Sequence, residues 1–243
     1  MSGNSRNLNV IIMGPPGSGK STLGSAFKGD YVHLSTGDLI RDEIARGTDV
    51  GKLLRQDVEK GSLVSGLTVS MLIIQRLLSS NSSGKGFIID GYPRTVGQVN
   101  FLRTSGVRID MVIVLHCDKD SLVRRITNRR IDARTQKVYS LDDLPEGIQP
   151  EMLQTRADDN EQVLTKRYEQ YKQTEHEILQ AFRFLGKIDS YCLHEYHPAH
   201  IVHIDAERPK EAIVAECTKQ IAYYREMWPI DTQRGMKVVM SKL

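Results

Sequence analysis

Short apolar runs alternate with longer stretches of helical period along the 243 residues. Leu8–Met13, Tyr31–Leu34, Gly86–Asp90, Met111–His116 and Ile201–Ile204 have the length and composition of buried strands. Helices are expected from Lys20, from Gly37, near Leu53–Lys60, near Thr68–Leu78, from Val96, near Lys119–Arg130, across Asp159–Phe184 and across Lys210–Met227. This alternation predicts an α/β fold, a doubly wound parallel five-stranded sheet covered by helices. In such a sheet ligands sit beyond the carboxyl ends of the strands. Gly14, Ser35 and Gly91 each follow an expected strand, so their segments should converge there.

Two segments interrupt the alternation. Residues 36–65 are helical and polar, without a strand. Residues 131–158 carry Tyr139, Pro145, Gly147 and Pro150 and show little helical period. Both read as excursions from the core that can close over a ligand. Residues from Pro229 onward lack a clear period and are expected to form a loose tail.

Chemistry enters with Gly14–Ser21, which matches G-x-x-x-x-G-K-[ST]. Glycines at 14, 17 and 19 let bare backbone N–H groups gather around an anion, at the N-terminus of the helix opened by Lys20. Lys20 can reach the outer phosphates of a nucleotide, and the Ser21 hydroxyl can approach magnesium. Ser35-Thr36-Gly37-Asp38-Leu39-Ile40-Arg41 supplies hydroxyls, a carboxylate and a cation after the second strand. Asp90-Gly91-Tyr92-Pro93-Arg94-Thr95 follows the third. Asp90 stands where phosphate-loop proteins place a carboxylate for magnesium, and Arg94 leaves an abrupt turn. Arg125 and Arg129 lie i, i+4 on one expected helix, sharing a face; Arg156, Asp158, Asp159 and Arg167 follow the second excursion. So much positive charge suits two phosphate chains brought end to end, which implies a phosphorylated second substrate.

The ordered set Gly-x-Pro-Gly-Ser-Gly-Lys-Ser-Thr, Ser-Thr-Gly-Asp-Leu-Ile-Arg, Asp-Gly-Tyr-Pro-Arg-Thr, Arg-Ile-Thr-Asn-Arg-Arg and Thr-Arg-Ala-Asp-Asp-Asn-Glu closely resembles the adenylate kinase family. The resemblance runs from about Leu8 to Arg167, and more weakly to about Met227. It implies reversible transfer of the terminal phosphoryl group of MgATP to AMP, giving two ADP. It also implies a core of residues 1–35, 66–129 and 159–243, an AMP-binding flap of 36–65 and a lid of 130–158. Gly17, Ser18, Gly19, Lys20, Ser21 and Thr22 would hold the ATP phosphates. Arg125, Arg129, Val138, Tyr139 and Arg208 would complete the ATP side. Thr36, Arg41, Ser62, Leu63, Val64, Gly91, Tyr92, Pro93, Arg94 and Gln98 would bind AMP, with Gln98 reading the adenine edge. Lys20, Arg94, Arg125, Arg129, Arg156 and Arg167 would act on the phosphoryl group in flight, Arg156 and Arg167 also touching AMP. Ser21, Asp38 and Asp90 would hold magnesium, mostly through water.

The chain departs from the family in places. Ser21 stands where the family usually has glycine, and Tyr92 where phenylalanine is commoner. Sixteen residues separate Tyr139 from Arg156, a lid intermediate between the family's long and short forms. No cysteine lies between Cys117 and Cys192, so no four-thiolate lid zinc is expected. Lys187–His200 and the tail after Trp228 exceed the family norm. Thr36 and Thr95 favour AMP over UMP or CMP, whose kinases more often carry alanine and asparagine there. A nucleotide-dependent switch without an acceptor would need neither the arginine set nor the flap.

Composition narrows the picture only modestly. Apolar residues at 40% and charged residues at 26% suit a globular domain, and no apolar run is long enough to cross a bilayer. The net charge is +3 and the basic residues are spread, which argues against nucleic acid. The N-terminus lacks a secretory pattern, and Cys117, Cys192 and Cys217 share no ligand spacing, which fits a reducing compartment. His194, His197, His200 and His203 recur at spacing three, but Pro198 would break a helix there, so a polar loop leading into a strand is expected instead of a metal site. Ser241-Lys242-Leu243 reads as a peroxisome-type address, glycosomes included, and implies an import receptor as partner. A monomer is expected.

Overall fold

The computed structural model describes residues 8–59, 66–80, 84–135, 137–156, 158–183 and 198–227. Ser62, Leu63 and Val64, Cys192, His194, His197 and the Ser241-Lys242-Leu243 tripeptide lie outside the described residues.

Five parallel strands, β1 (Val10–Met13), β2 (Tyr31–Ser35), β3 (Gly86–Asp90), β4 (Met111–His116) and β8 (His200–Asp205), form one sheet in the order β2-β3-β1-β4-β8. Successive residues of a strand point to opposite faces, and the central strands are apolar on both. Ile11 and Met13 therefore join Ile89, Val112 and Val114 in one core, and Val10 and Ile12 join Ile88, Ile113 and Leu115 in another. The first core is closed by α4 (Gly66–Ser80), α5 (Val96–Thr104) and α7 (Glu161–Arg183), through Ile73, Leu102 and Phe182. The second is closed by α1 (Lys20–Ala26) and α8 (Lys210–Met227), through Leu23, Cys217 and Ile221. This is the doubly wound fold expected from the sequence.

The first excursion holds α2 (Thr36–Ala45) and α3 (Asp49–Glu59), and among the described residues it has no strand. The second is different. After α6 (Lys119–Thr127) come β5 (Arg129–Asp132), β6 (Val138–Ser140) and β7 (Leu153–Gln154), an antiparallel sheet ordered β6-β5-β7. The helix expected to run to Arg130 stops three residues earlier, so Arg125 and Arg129 do not share a helical face. The cause is non-local. Asn128 ends α6, its side chain donates to Asp142 Oδ2 at 2.7 Å, and its carbonyl accepts from Leu141 N at 2.9 Å. Those bonds turn the chain into β5.

Candidate functional site

The carboxyl ends of β1, β2 and β3 deliver the three motifs to one place. Gly17 and Gly19 have φ of 85° and 89°, left-handed values that side chains disfavour. Space also restricts Gly17, where a Cβ would come within 2.9 Å of Ile126 Cγ1. Lys20 Nζ folds back onto the loop and donates to the Gly14 and Pro15 carbonyls at 2.8 and 2.6 Å. Its pKa is pushed down to about 8, first by burial, then by Arg94 and Arg129, against the pull of Asp90. The Ser18 hydroxyl is buried within the loop and has no hydrogen-bond partner among the described residues, a cost that a bound phosphate oxygen would relieve.

Asp90 ends β3 with both carboxylate oxygens engaged. Ser21 Oγ donates to Oδ1 at 3.1 Å, and His33 Nε2 lies 2.6 Å from Oδ2. His33 was not anticipated. Its signals were a polar residue inside the apolar strand β2 and a glycine inside α1. Gly24 packs so closely against the His33 ring that a Cβ there would collide with Nε2. Ser21 and Asp90 offer the hard oxygen donors that magnesium takes, so the pair fits that ion. The Asp38 carboxylate pairs with Arg41, and its N–H donates at 3.4 Å to Ser35 Oγ, which lies 3.5 Å from Ser21 Oγ. Burial raises the Asp38 pKa, but Arg41, the Ser35 hydroxyl and Arg156 together hold it below its ordinary value.

Thr36 opens α2, and its hydroxyl donates to the Asp90 carbonyl at 2.8 Å, tying the flap to the end of β3. Gly91 (φ 75°), Tyr92 and Pro93 form the turn after β3, with a cis Tyr92–Pro93 bond. Arg94 Nε donates back to the Gly91 carbonyl at 2.9 Å. The Thr95 hydroxyl caps α5 by accepting from Gln98 N at 3.3 Å, and Gln98 Oε1 accepts from Arg94 N at 2.6 Å.

The arginines come from the flap, the turn after β3, the lid and α7, and the pKa values of Arg94 and Arg156 are each lowered in part by neighbouring arginines. Desolvation lowers the pKa of Arg94, helped by Arg167 and opposed by Asp90 and Asp158. Desolvation also lowers that of Arg156 to about 10, helped by Arg41 and Arg129. Its buried Nε has no hydrogen-bond partner among the described residues. Arg129, at the start of β5, pairs through Nε and Nη2 with Asp159, and Arg167 on α7 pairs with Asp158. Two carboxylates thus hold two of the cations in place. Arg125 Nη2 donates to the Ala206 carbonyl at 2.7 Å, and Arg208 Nε to that of Asp205 at 3.3 Å. Both therefore border the loop after β8. Val138 and Tyr139 lie on β6 in the lid, Val138 partly exposed and the Tyr139 ring under Lys137 Nζ.

A family model described as adenylate kinase matches residues 12–187. An adenylate kinase of Thermococcus onnurineus is 36% identical over 191 residues, covering 74% of this chain and 84% of that protein. One of Vanderwaltozyma polyspora is 32% identical over 198 residues, covering 76% and 89%. A protein of Oryza sativa named probable adenylate kinase 2, chloroplastic, is 38% identical over 180 residues, covering 72% and 62%.

Proposed function

Because this chain belongs to the adenylate kinase family, a family of phosphotransferases with the nucleoside monophosphate kinase fold, we propose that it transfers the terminal phosphoryl group of MgATP to AMP and back, keeping adenine nucleotides in balance. The observation that carries this reading is the arginine set. Arg167 helps to lower the Arg94 pKa, and Arg41 and Arg129 help to lower that of Arg156. Lys20 senses Arg94 and Arg129. One nucleotide does not require cations from the phosphate loop, the flap, the β3 turn, the lid and α7 together.

The chemistry needs alignment and charge neutralisation more than a general base. The phosphate loop and Lys20 hold the donor phosphates. Arg41 and Arg94 hold the acceptor phosphate. Arg129, Arg156 and Arg167 are read as the groups that stabilise negative charge on the phosphoryl group in flight. Magnesium carried in with ATP would be held by Ser21 and Asp90 and would neutralise phosphate charge. Closure of residues 36–65 and 130–158 excludes water, which would otherwise turn transfer into hydrolysis. The lid is read as zinc-free and the enzyme as a monomer. Import into a peroxisome-type organelle is supported by Ser241-Lys242-Leu243 alone.

An acceptor panel tests the reading. With ATP and GTP as donors, AMP should give the fastest nucleoside diphosphate formation. Faster turnover of UMP or CMP would identify a pyrimidine kinase, and ATP hydrolysis without AMP-dependent ADP formation would identify a switch. A fluorescent fusion that stays in the organelle after removal of Ser241–Leu243 would overturn the address.

A further inference from the structure

Ser70 and Tyr92 are both 1% exposed, and they meet inside an otherwise apolar core. Tyr92 Oη donates to Ser70 Oγ at 2.8 Å and lies 3.3 Å from the Gln98 carbonyl. Ser70 Oγ in turn donates to the Gly66 carbonyl at 2.7 Å, in the first turn of α4. The same carbonyl faces Gln98 Nε2 at 3.5 Å, while Gln98 Oε1 accepts from Arg94 N. The bonds therefore close a ring through Tyr92, Ser70, Gly66, Gln98 and Arg94. It joins the helix that leads out of the flap to the turn that carries Arg94.

Two buried hydroxyls are costly to place, and an apolar pair of similar shape would fill the space more cheaply. What the pair adds is orientation. The Arg94 N–H fixes the acceptor end of the Gln98 amide, so its donor end must face α4. The 3.5 Å contact to Gly66 holds one N–H of that NH2 group toward α4 and leaves its second N–H for an incoming base. We infer that Ser70 is a positioning residue for the acceptor: through Tyr92 and Gly66 it fixes the Gln98 amide and the Arg94 turn at the place where the acceptor base docks. This rests on the reading of AMP as acceptor.

The test compares Ser70→Ala, Tyr92→Phe and the double variant, with AMP and ATP varied in turn and thermal midpoints measured alongside. Ser70→Ala should raise KM for AMP about fivefold, the scale of one neutral hydrogen bond, and leave KM for ATP within about twofold. Tyr92→Phe should raise KM for AMP similarly, and the double variant should be no worse than the poorer single, since the two hydroxyls act as a unit. Ser70→Thr, which keeps the hydroxyl, should restore KM for AMP. An unchanged KM for AMP in Ser70→Ala, equal rises for both nucleotides, or additive effects in the double variant would each overturn the inference. A wild-type enzyme that forms no ADP from AMP would overturn the acceptor reading itself, and this inference with it.

Discussion

Ser21 Oγ donates to Asp90 Oδ1 at 3.1 Å, joining the first residues of α1 to the last residue of β3. Glycine, the residue the family usually has at this position, could not make that bond. The hydroxyl gives Asp90 a second fixed partner beside His33 and so holds the carboxylate toward the phosphate loop. Ser21→Gly should therefore keep the fold and most of the turnover. The magnesium concentration at half-maximal rate should rise about fivefold, as expected for one lost hydrogen bond. A magnesium titration at saturating ATP and AMP measures this, and an unchanged midpoint would refute the role.

Gly24 sits inside α1, where alanine would ordinarily stabilise the helix by about 1 kcal/mol. Here the His33 ring occupies the space a Cβ would need. His33 cannot move away without abandoning Asp90, to which it is bonded at 2.6 Å. Overpacking of this kind costs about 1–3 kcal/mol, so the collision outweighs the propensity gain. Gly24→Ala should lower the thermal midpoint by several degrees, at about 2–4 °C per kcal/mol for a chain of this size. A raised midpoint would show that the ring yields freely.

The sheet and the three motifs were legible because they are local. Apolar runs such as Val10–Met13 and Met111–Leu115 are buried on both faces, so composition alone marks them as strands. The phosphate loop declares itself by spacing. The break after Thr127 was not legible. The run from Leu122 to Arg130 is compatible with a helix throughout, and what ends it is Asp142 and Leu141, reached across the lid. The lid strands are four, three and two residues long, too short for a period to emerge. His33 and Ser70 were missed for a related reason. Each is a polar residue in an apolar element, and its partner lies 57 or 22 positions away. The magnesium role of Asp38 comes by resemblance alone, whereas its pairing with Arg41 is the i, i+3 contact that spacing on one helix allows.

Arg129 and Asp159 form a two-point ion pair, with the Asp159 carboxylate fully buried. Removing the arginine leaves a buried charge without its partner, which typically costs 3–5 kcal/mol. Arg129→Ala should thus lose about 3 kcal/mol of stability as well as turnover. Arg129→Lys should recover little, because an ammonium cannot span both carboxylate oxygens in a fork. Chemical denaturation with parallel rate measurements separates the two losses. Full stability in Arg129→Ala would show that Asp159 is satisfied by other donors.

Lys20 has a pKa of about 8 before phosphate arrives, because burial and the neighbouring Arg94 and Arg129 disfavour its charge more than Asp90 favours it. Nucleotide phosphates reverse that balance by adding negative charge beside the ammonium. ATP binding should therefore take up a proton from about pH 8 upward, and affinity should fall as pH rises through that value. Stability moves the other way. The unfolded chain holds the Lys20 proton up to about pH 10.5 while the folded chain releases it near 8, so this group makes the fold more stable as pH rises between those values. Calorimetry of ATP binding in buffers of different ionisation enthalpy reads the proton count directly. Uptake should be near zero at pH 6.5 and approach one at pH 9, and Lys20→Met should abolish it together with transfer. Equal uptake in Lys20→Met would assign the proton to another group.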